Sequence, residues 1–354
     1  MQELLGRITA LDPSASLGIR VIACFDELMV GQVNLHGLLA TAAALAGVPA
    51  GVDHAGRVTR VGPDGERLPA DRAPHTAPRE PIDDGTEVWI ERVGDPEPND
   101  AIILERLALA VRVRLSGTRE GWVARDLPHL IRTESSAEER RESASRLGLS
   151  PHGTYRIVSA PLFAQWESHV GWPSDVVPTT HGTLHVLVAP ATTTTVAASP
   201  CGIGVAAGVD DLPRSFQSAL VALRLARPPQ EKVVCADQFG GLVDLLGDPA
   251  TLAANPDVKA IDALLEYPWA GGTIEALLAT TTARQAARTL GVHHSTVQTR
   301  LETVRTTIGF DPLQGYGRTR LGIAYLSSRL INSRVLDLPV PGDTASIPHE
   351  ASNQ

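Results

Sequence analysis

The chain lacks several features that would narrow its function at once. No apolar run approaches the roughly 18–20 residues that a membrane span needs, so no membrane partner is expected. The opening "MQELLGRITALDPSAS" has no basic stretch followed by an apolar one, which predicts no secretory signal. Cysteine occurs three times in 354 residues, as Cys24, Cys201 and Cys235. So wide and odd a set makes neither a disulfide framework nor a metal motif, and it points to a reducing, cytoplasmic setting. Lysine is confined to Lys232 and Lys259, so arginine carries nearly all of the positive charge.

What is present is acidic overall and basic in one place. A formal net charge of −9 argues against a protein that coats nucleic acid indiscriminately. Between Thr273 and Arg334, however, eight arginines face three carboxylates, a local balance of +5. A basic module on an acidic body is the pattern expected when only that module meets phosphate.

Periodicity and punctuation divide the chain into three segments and a tail. Residues 1–116 read as a small α/β unit. A helical apolar stretch from about Ile19 stops at Gly47 before Pro49. Then come two strands of a hairpin within "PAGVDHAGRVTRVGPDGERL", a Pro-rich surface loop, the strand "TEVWIERVG" and the helix "NDAIILERLALAVRVRL". Residues 117–250 begin with two helical stretches and continue with the strands "TYRIVSAPL", "GTLHVLVAP" and "CGIGVAAG". A helix in "DDLPRSFQSALVALRLA" and a last strand "EKVVCAD" follow. In that helix Asp210 or Asp211 suits the cap, Pro213 suits the first turn, and Phe216, Leu220 and Leu223 share a face. Residues 251–336 are helical throughout, and 337–354 read as a disordered tail with three prolines.

The segment "TTARQAARTLGVHHSTVQTRLETVRTTIG" reads as two helices joined by a tight turn. Ala286 and Ala287 allow close helix approach, Gly291 supplies the turn, and Val292 plugs the gap beneath it. The second helix carries Val297, Leu301, Val304 and Ile308 as one narrow apolar stripe. Away from the stripe lie Ser295, Thr296, Thr299, Glu302 and Thr303, with His294 and Gln298 nearer its flank. One reading makes this only a polar helix start: Ser295 and Gln298 have capping-box spacing, or His293 is the cap. The other makes it the reading edge of a major-groove helix, whose N-terminal end penetrates deepest. The small residues, the turn, the stripe and the local charge together favour a helix-turn-helix.

The segment from Thr282 to Leu330 resembles the C-terminal DNA-binding domain of the PucR/CdaR family of bacterial transcription regulators. Ala287, Leu290, Val292, His293, Thr296, Arg300, Leu301, Gly309 and Asp311 fall on that pattern, while Ser295 stands where Asn is usual and Thr299 where Tyr is usual. Residues from about 119 also resemble that family's degenerate cyclase-like domain, and the element order of residues 1–116 resembles a shortened GAF-type sensor. The resemblance implies α/β N-terminal and middle domains followed by an all-α helix-turn-helix domain. It implies a homo-oligomeric regulator, with a double-stranded DNA operator and a small-molecule effector as partners. On this reading His294, Ser295 and Thr299 meet base edges, and Thr296, Gln298 and Arg300 lie nearer phosphate. His293 and Thr303 flank that edge, and Arg305, Arg318 and Arg320 add non-specific attraction.

Other constellations carry less. "GIGVAAG" places its third glycine one residue late for a dinucleotide loop and reads better as a strand and turn. "QFGGLVD" is similar to the Gly-Gly hairpin of diguanylate cyclases, but Leu242 and Val243 stand where carboxylates would hold Mg²⁺. His181 and His185 could share a strand face, yet no third ligand accompanies them. No cofactor is expected. A nucleotide-binding or nucleotide-processing enzyme built on the middle segment is the rival reading, and a module that has lost DNA affinity is a third.

Overall fold

The structure, a computed structural model, describes residues 13–31, 33–72, 74, 76–83, 85–116, 126–168 and 171–337. The chain folds as two units. The first runs to Cys235 and takes the chain up again from Val335, and the second is Ala236–Arg334. The tail expected at 337–354 lies, beyond Asp337, outside the described residues, as do residues 117–125, which include the start of the first helical stretch of the middle segment.

The first unit opens with α1 (Pro13–Val30) and α2 (Leu35–Ala46). The sequence shows one continuous apolar periodicity here, but the helix breaks at Gly31 and restarts where Asn34 Oδ1 accepts the Gly37 amide at 2.8 Å. A side-chain cap satisfies a donor that no helical carbonyl reaches, so it can punctuate a stretch whose hydrophobic pattern runs on. Gly47, at φ 67°, closes α2 as its position predicts. Strands β1 (Ala50–His54), β2 (Arg57–Val61), β3 (Arg67–Leu68), β4 (Arg79–Asp83) and β5 (Thr86–Ile90) form an antiparallel sheet in the order β3-β2-β1-β5-β4. Strand β4 lies in the segment expected to be only loop. It is an edge strand with a register shift at Pro81, which is where a sheet tolerates a residue that cannot donate. Helix α3 (Asp100–Leu115) packs with α1 and α2, and Phe25, Leu28, Leu38, Leu39, Ile103 and Leu107 are fully or almost fully buried among them.

The same unit continues through α4 (Asp126–Ile131) and α5 (Ala137–Arg146), the latter started by a reciprocal capping box between Ser136 and Glu139. Eight strands follow: β6 (Thr154–Pro161), β7 (Gln165–Trp166), β8 (Ser174–Thr179), β9 (Gly182–Pro190), β10 (Ala198–Ser199), β11 (Cys201–Ile203), β12 (Ala207–Gly208) and β13 (Val233–Cys235). The main sheet has the order β13-β11-β6-β9-β8, with β12 also on β6, and β7 pairs with β10 apart from it. Leu184 to Ala189 of β9 are buried on both faces, as a central strand covered on both sides requires. Helix α6 (Leu212–Leu225) lies so close to β11 that a Cβ at Gly202 would stand 2.2 Å from the Ala219 carbonyl oxygen. Gly202 and Gly204 of "GIGVAAG" therefore serve close packing of strand and turn on α6, while nothing stands within 4 Å of a Cβ at Gly208. Asp211 occupies the N-cap of α6 without a side-chain bond, because a 3₁₀ turn at Val209–Asp211 leads into the helix.

The two parts of this unit share a seam. Asn34 Nδ2 donates to Asp175 Oδ2 at 2.5 Å, and Ser174 Oγ donates to the Gly31 carbonyl at 3.1 Å. Leu162 and Val176 complete the core beneath α1–α3. Strand β8, which supplies Ser174, Asp175 and Val176, was not read from the sequence: Pro173 precedes it, Pro178 lies within it, and it forms the other sheet's edge.

The second unit is helical: α7 (Leu242–Leu246), α8 (Pro249–Ala254), α9 (Pro256–Leu265), α10 (Ala270–Ala279), α11 (Ala283–Thr289), α12 (His294–Ile308) and α13 (Gly317–Ile331). "QFGGLVD" is no hairpin here: a 3₁₀ turn ends at Phe239 and α7 starts at Leu242. Ile261, Leu264, Ile274, Val304, Leu321 and Ala324 form the larger core, and a second cluster of Ala286, Ala287, Val297 and Leu301 sits under the α11–α12 turn. Mixed α/β architecture followed by a helical region is the fold class that the sequence implies.

Candidate nucleic-acid interface

The helix pair α11–α12 is built by its caps. Thr282 accepts the Gln285 amide at 3.2 Å while Gln285 Oε1 accepts the Thr282 amide, a capping box that starts α11. Gly291 then turns the chain at φ 66°, and the Val292 amide reaches back to the Ala287 carbonyl at 3.1 Å. That six-to-one bond with a left-handed glycine is a Schellman turn. Val292 sits partly buried against the smaller cluster, under the turn as its position predicts.

Helix α12 begins at His294 because His293 is its cap: the Nδ1 atom accepts the Ser295 amide at 3.3 Å and lies 2.7 Å from Ser295 Oγ. The capping-box spacing of Ser295 and Gln298 is not used, and the box lies one helix earlier. Val297, Leu301, Val304 and Ile308 are all buried, which bears out the stripe. Ser295, Thr296, Gln298, Thr299 and Glu302 are exposed, and His294 and Thr303 are half-buried. Four threonines of this helix turn their hydroxyls onto their own backbone, Thr306 onto the Glu302 carbonyl at 3.0 Å among them. Thr299 Oγ1 donates to the Ser295 carbonyl at 3.1 Å, Thr303 to Thr299 at 3.3 Å and Thr307 to Thr303 at 2.9 Å.

The basic residues divide sharply by surroundings. Arg300 is half-buried, with Nη1 3.2 Å from Thr273 Oγ1 and its guanidinium 5.3 Å from the centre of the Trp269 ring. Arg305 pairs with Asp311 at 2.9 Å and Glu302 at 3.5 Å. Burial would push the Asp311 carboxyl up, but the Leu313 amide and the Arg305 guanidinium together bring it below its ordinary value. Arg320 forks onto Asp257 through Nε at 3.0 Å and Nη2 at 2.8 Å, over the Phe310 ring. Arg318 donates to the Thr281 carbonyl at 3.2 Å, beside the start of α11.

Two arginines that the sequence pattern does not single out complete the surface. Arg284 and Arg288 lie one turn apart on the exposed face of α11, and neither has a bonding partner among the described residues. Their i, i+4 spacing in "ARQAART" was a usable signal once the buried side of α11 was known to be Ala286–Ala287. In a helix-turn-helix the first helix crosses the phosphate backbone while the second enters the groove.

His181 and His185 do not come together as a site. His181 Nε2 lies 3.1 Å from Arg224 Nη1, while His185 packs against Trp166 with ring centres 5.2 Å apart. Among the described residues no group of three or more His, Cys, Asp or Glu could hold a metal. Burial pushes the Cys24 and Cys201 thiols up to about 12, which is the behaviour of core residues rather than nucleophiles.

Comparison with known proteins gives one match of consequence. Residues 272–327 match the PucR C-terminal helix-turn-helix domain. No curated protein matches the chain. The crystal structure of a regulator of polyketide synthase expression from Bifidobacterium adolescentis is similar at a TM-score of 0.25 and 19% identity, over 62% of this chain and 97% of that one. A score that low transfers neither fold nor function.

Proposed function

Because residues 272–327 are a PucR C-terminal helix-turn-helix domain, we propose that the chain is a sequence-specific DNA-binding transcription regulator whose first unit takes a small-molecule effector. The observation that carries the DNA reading is the exposed N-terminal end of α12, short and polar, beside the unpaired Arg284 and Arg288 of α11. Ser295, Thr299 and His294 meet base edges in this reading, and Thr296 and Gln298 lie nearer phosphate. Arg284 and Arg288 supply the positioning contacts that fix register without carrying sequence information. Arg300, Arg305 and Arg320 brace the domain, and Arg318 steadies the Thr281 turn where it approaches the backbone. His293 sets the start of the reading helix, and Thr303 marks the far end of its exposed face.

A single recognition helix buries too little for tight binding, so the functional species is a dimer or larger even-numbered oligomer, with half-sites about one helical turn (~34 Å) apart. The first part of the first unit, an antiparallel sheet with three helices, supports a GAF-like sensor, and the β6–β13 region supports a cyclase-like relay without its own chemistry. Titration of the full chain against a random duplex at several salt concentrations tests the core of this. The logarithm of affinity should fall linearly with the logarithm of salt. Absence of any binding at low salt would overturn the DNA reading.

A further inference from the structure

A cavity of about 320 Å³ opens in the first unit between α1, the C-terminal end of α2 and the N-terminal end of α3. Pockets that hold drug-sized molecules run from about 300 to 1,000 Å³, so this one suits a small ligand. Its apolar wall is made by Val21, Leu45, Ile103 and Phe163, with Leu17 and Ala44 beside them. One end is polar. Arg92 donates through Nε and Nη2 to the two oxygens of Asp100, at 2.9 and 2.8 Å, and Nη2 also reaches the Ala46 carbonyl at 2.7 Å. Its Nη1 has no bonding partner among the described residues. Asn99 stands at the helix start without making a side-chain cap bond, and Glu97 lines the same end.

The charges at that end select the ligand. Asp100 already cancels the guanidinium, and Glu97 adds a negative charge, so a carboxylate entering here would be repelled. An ammonium would leave the Arg92 Nη1 donors facing another donor. A primary carboxamide satisfies the set: its oxygen accepts from Nη1, and its NH₂ donates to the Asn99 or Glu97 oxygens. We propose that this cavity is a binding site for a small molecule with an apolar body and an uncharged carboxamide head. Its occupant lies at the Ala46 end of α2, whose other end docks on β8 through Asn34 and Asp175. The inference deepens the effector reading and rests on it for the consequence of binding, not for binding itself.

Saturation-transfer NMR on the full chain with benzamide, benzoate and benzylamine tests the site. Benzamide should give a saturable signal, with benzoate and benzylamine several-fold weaker at equal concentration. Ala44→Trp should abolish the benzamide signal by filling the cavity. Asn99→Ala, which removes no cap bond, should weaken it several-fold with the fold intact. No benzamide signal, a signal that survives in folded Ala44→Trp, or equal response to benzoate or to benzylamine would overturn the proposal. Benzamide binding that leaves operator affinity unchanged would uphold the site and overturn the effector reading instead.

Discussion

Replacing Arg300 by alanine separates bracing from phosphate binding. The guanidinium stands 5.3 Å from the Trp269 ring centre in a half-buried position, where a cation–π contact contributes about 0.5–2 kcal/mol. Its bond to Thr273 is long at 3.2 Å, so it belongs near the lower end of the roughly 1.5–3 kcal/mol of charged hydrogen bonds. Alanine returns only a few tenths of a kcal/mol through better helix propensity. The net loss is about 2 kcal/mol, which for a unit the size of Ala236–Arg334 lowers its melting transition by on the order of 10 °C. Arg300→Lys keeps the charge but not the planar stack, so it should lose part of that stability as well. Neither change should alter the salt dependence of DNA binding. Arg288→Ala should do the reverse, leaving the transition in place while the log–log salt slope falls by about 0.9. Scanning calorimetry and duplex titrations at several salt concentrations measure both quantities on the same variants. If Arg300→Ala melts normally and its slope falls by about one, the guanidinium leaves Trp269 for phosphate and the division of arginines drawn above is wrong.

Three further outcomes are expected. Thr299→Ala should lose roughly 1–3 kcal/mol at a true operator and far less on scrambled duplex, with the fold kept; equal losses on both would refute base reading by this face. Gly202→Ala drives a Cβ into backbone atoms of α6 at 2.2 and 2.3 Å, which cannot swing aside, so it should cost at least the roughly 1–3 kcal/mol of overpacking. Gly208→Ala, with nothing within 4 Å, is the control that should melt like the parent. Glu91 is held below its ordinary value of 4.5 mainly by hydrogen bonds from Arg60, at 2.7 Å to each oxygen. A lowered folded value means stability present above pH 4.5 and lost as pH falls through the folded value. Glu91→Gln should therefore be less stable than the parent at neutral pH by about 1–3 kcal/mol and flatter in acid melts, and an unchanged acid profile would refute it.

What the sequence made legible was local. The Val297–Ile308 stripe, the Gly291 turn and the Gly47 stop each rest on residues within a few positions of one another, and all three stand as read. Strands β4 and β8 were not legible, because each carries proline and survives only as a sheet edge whose partner is supplied elsewhere in the chain. The surroundings of Arg300 were hidden for a similar reason: Thr273 lies 27 positions away, on another helix. Counting charge found the basic module, but only packing separated the arginines bound to Asp257, Asp311 or Trp269 from the two that are unpaired.

The seam between α2 and β8 bears on how such a chain can be cut and rejoined. Asn34 and Asp175 are 141 positions apart and both buried, and Leu162 and Val176 finish a core whose other buried members lie between Val21 and Val111. A graft made anywhere between 116 and 126 would separate the carboxylate from its amide donor and leave two apolar side chains facing water. Breaking a buried polar pair in this way costs more than never having built it. Exchange with a foreign input module would therefore succeed only if the donor brought its own match for β8, or if the cut fell near Cys235, where the long run of the first unit ends. The front two-thirds of the chain is a single cassette.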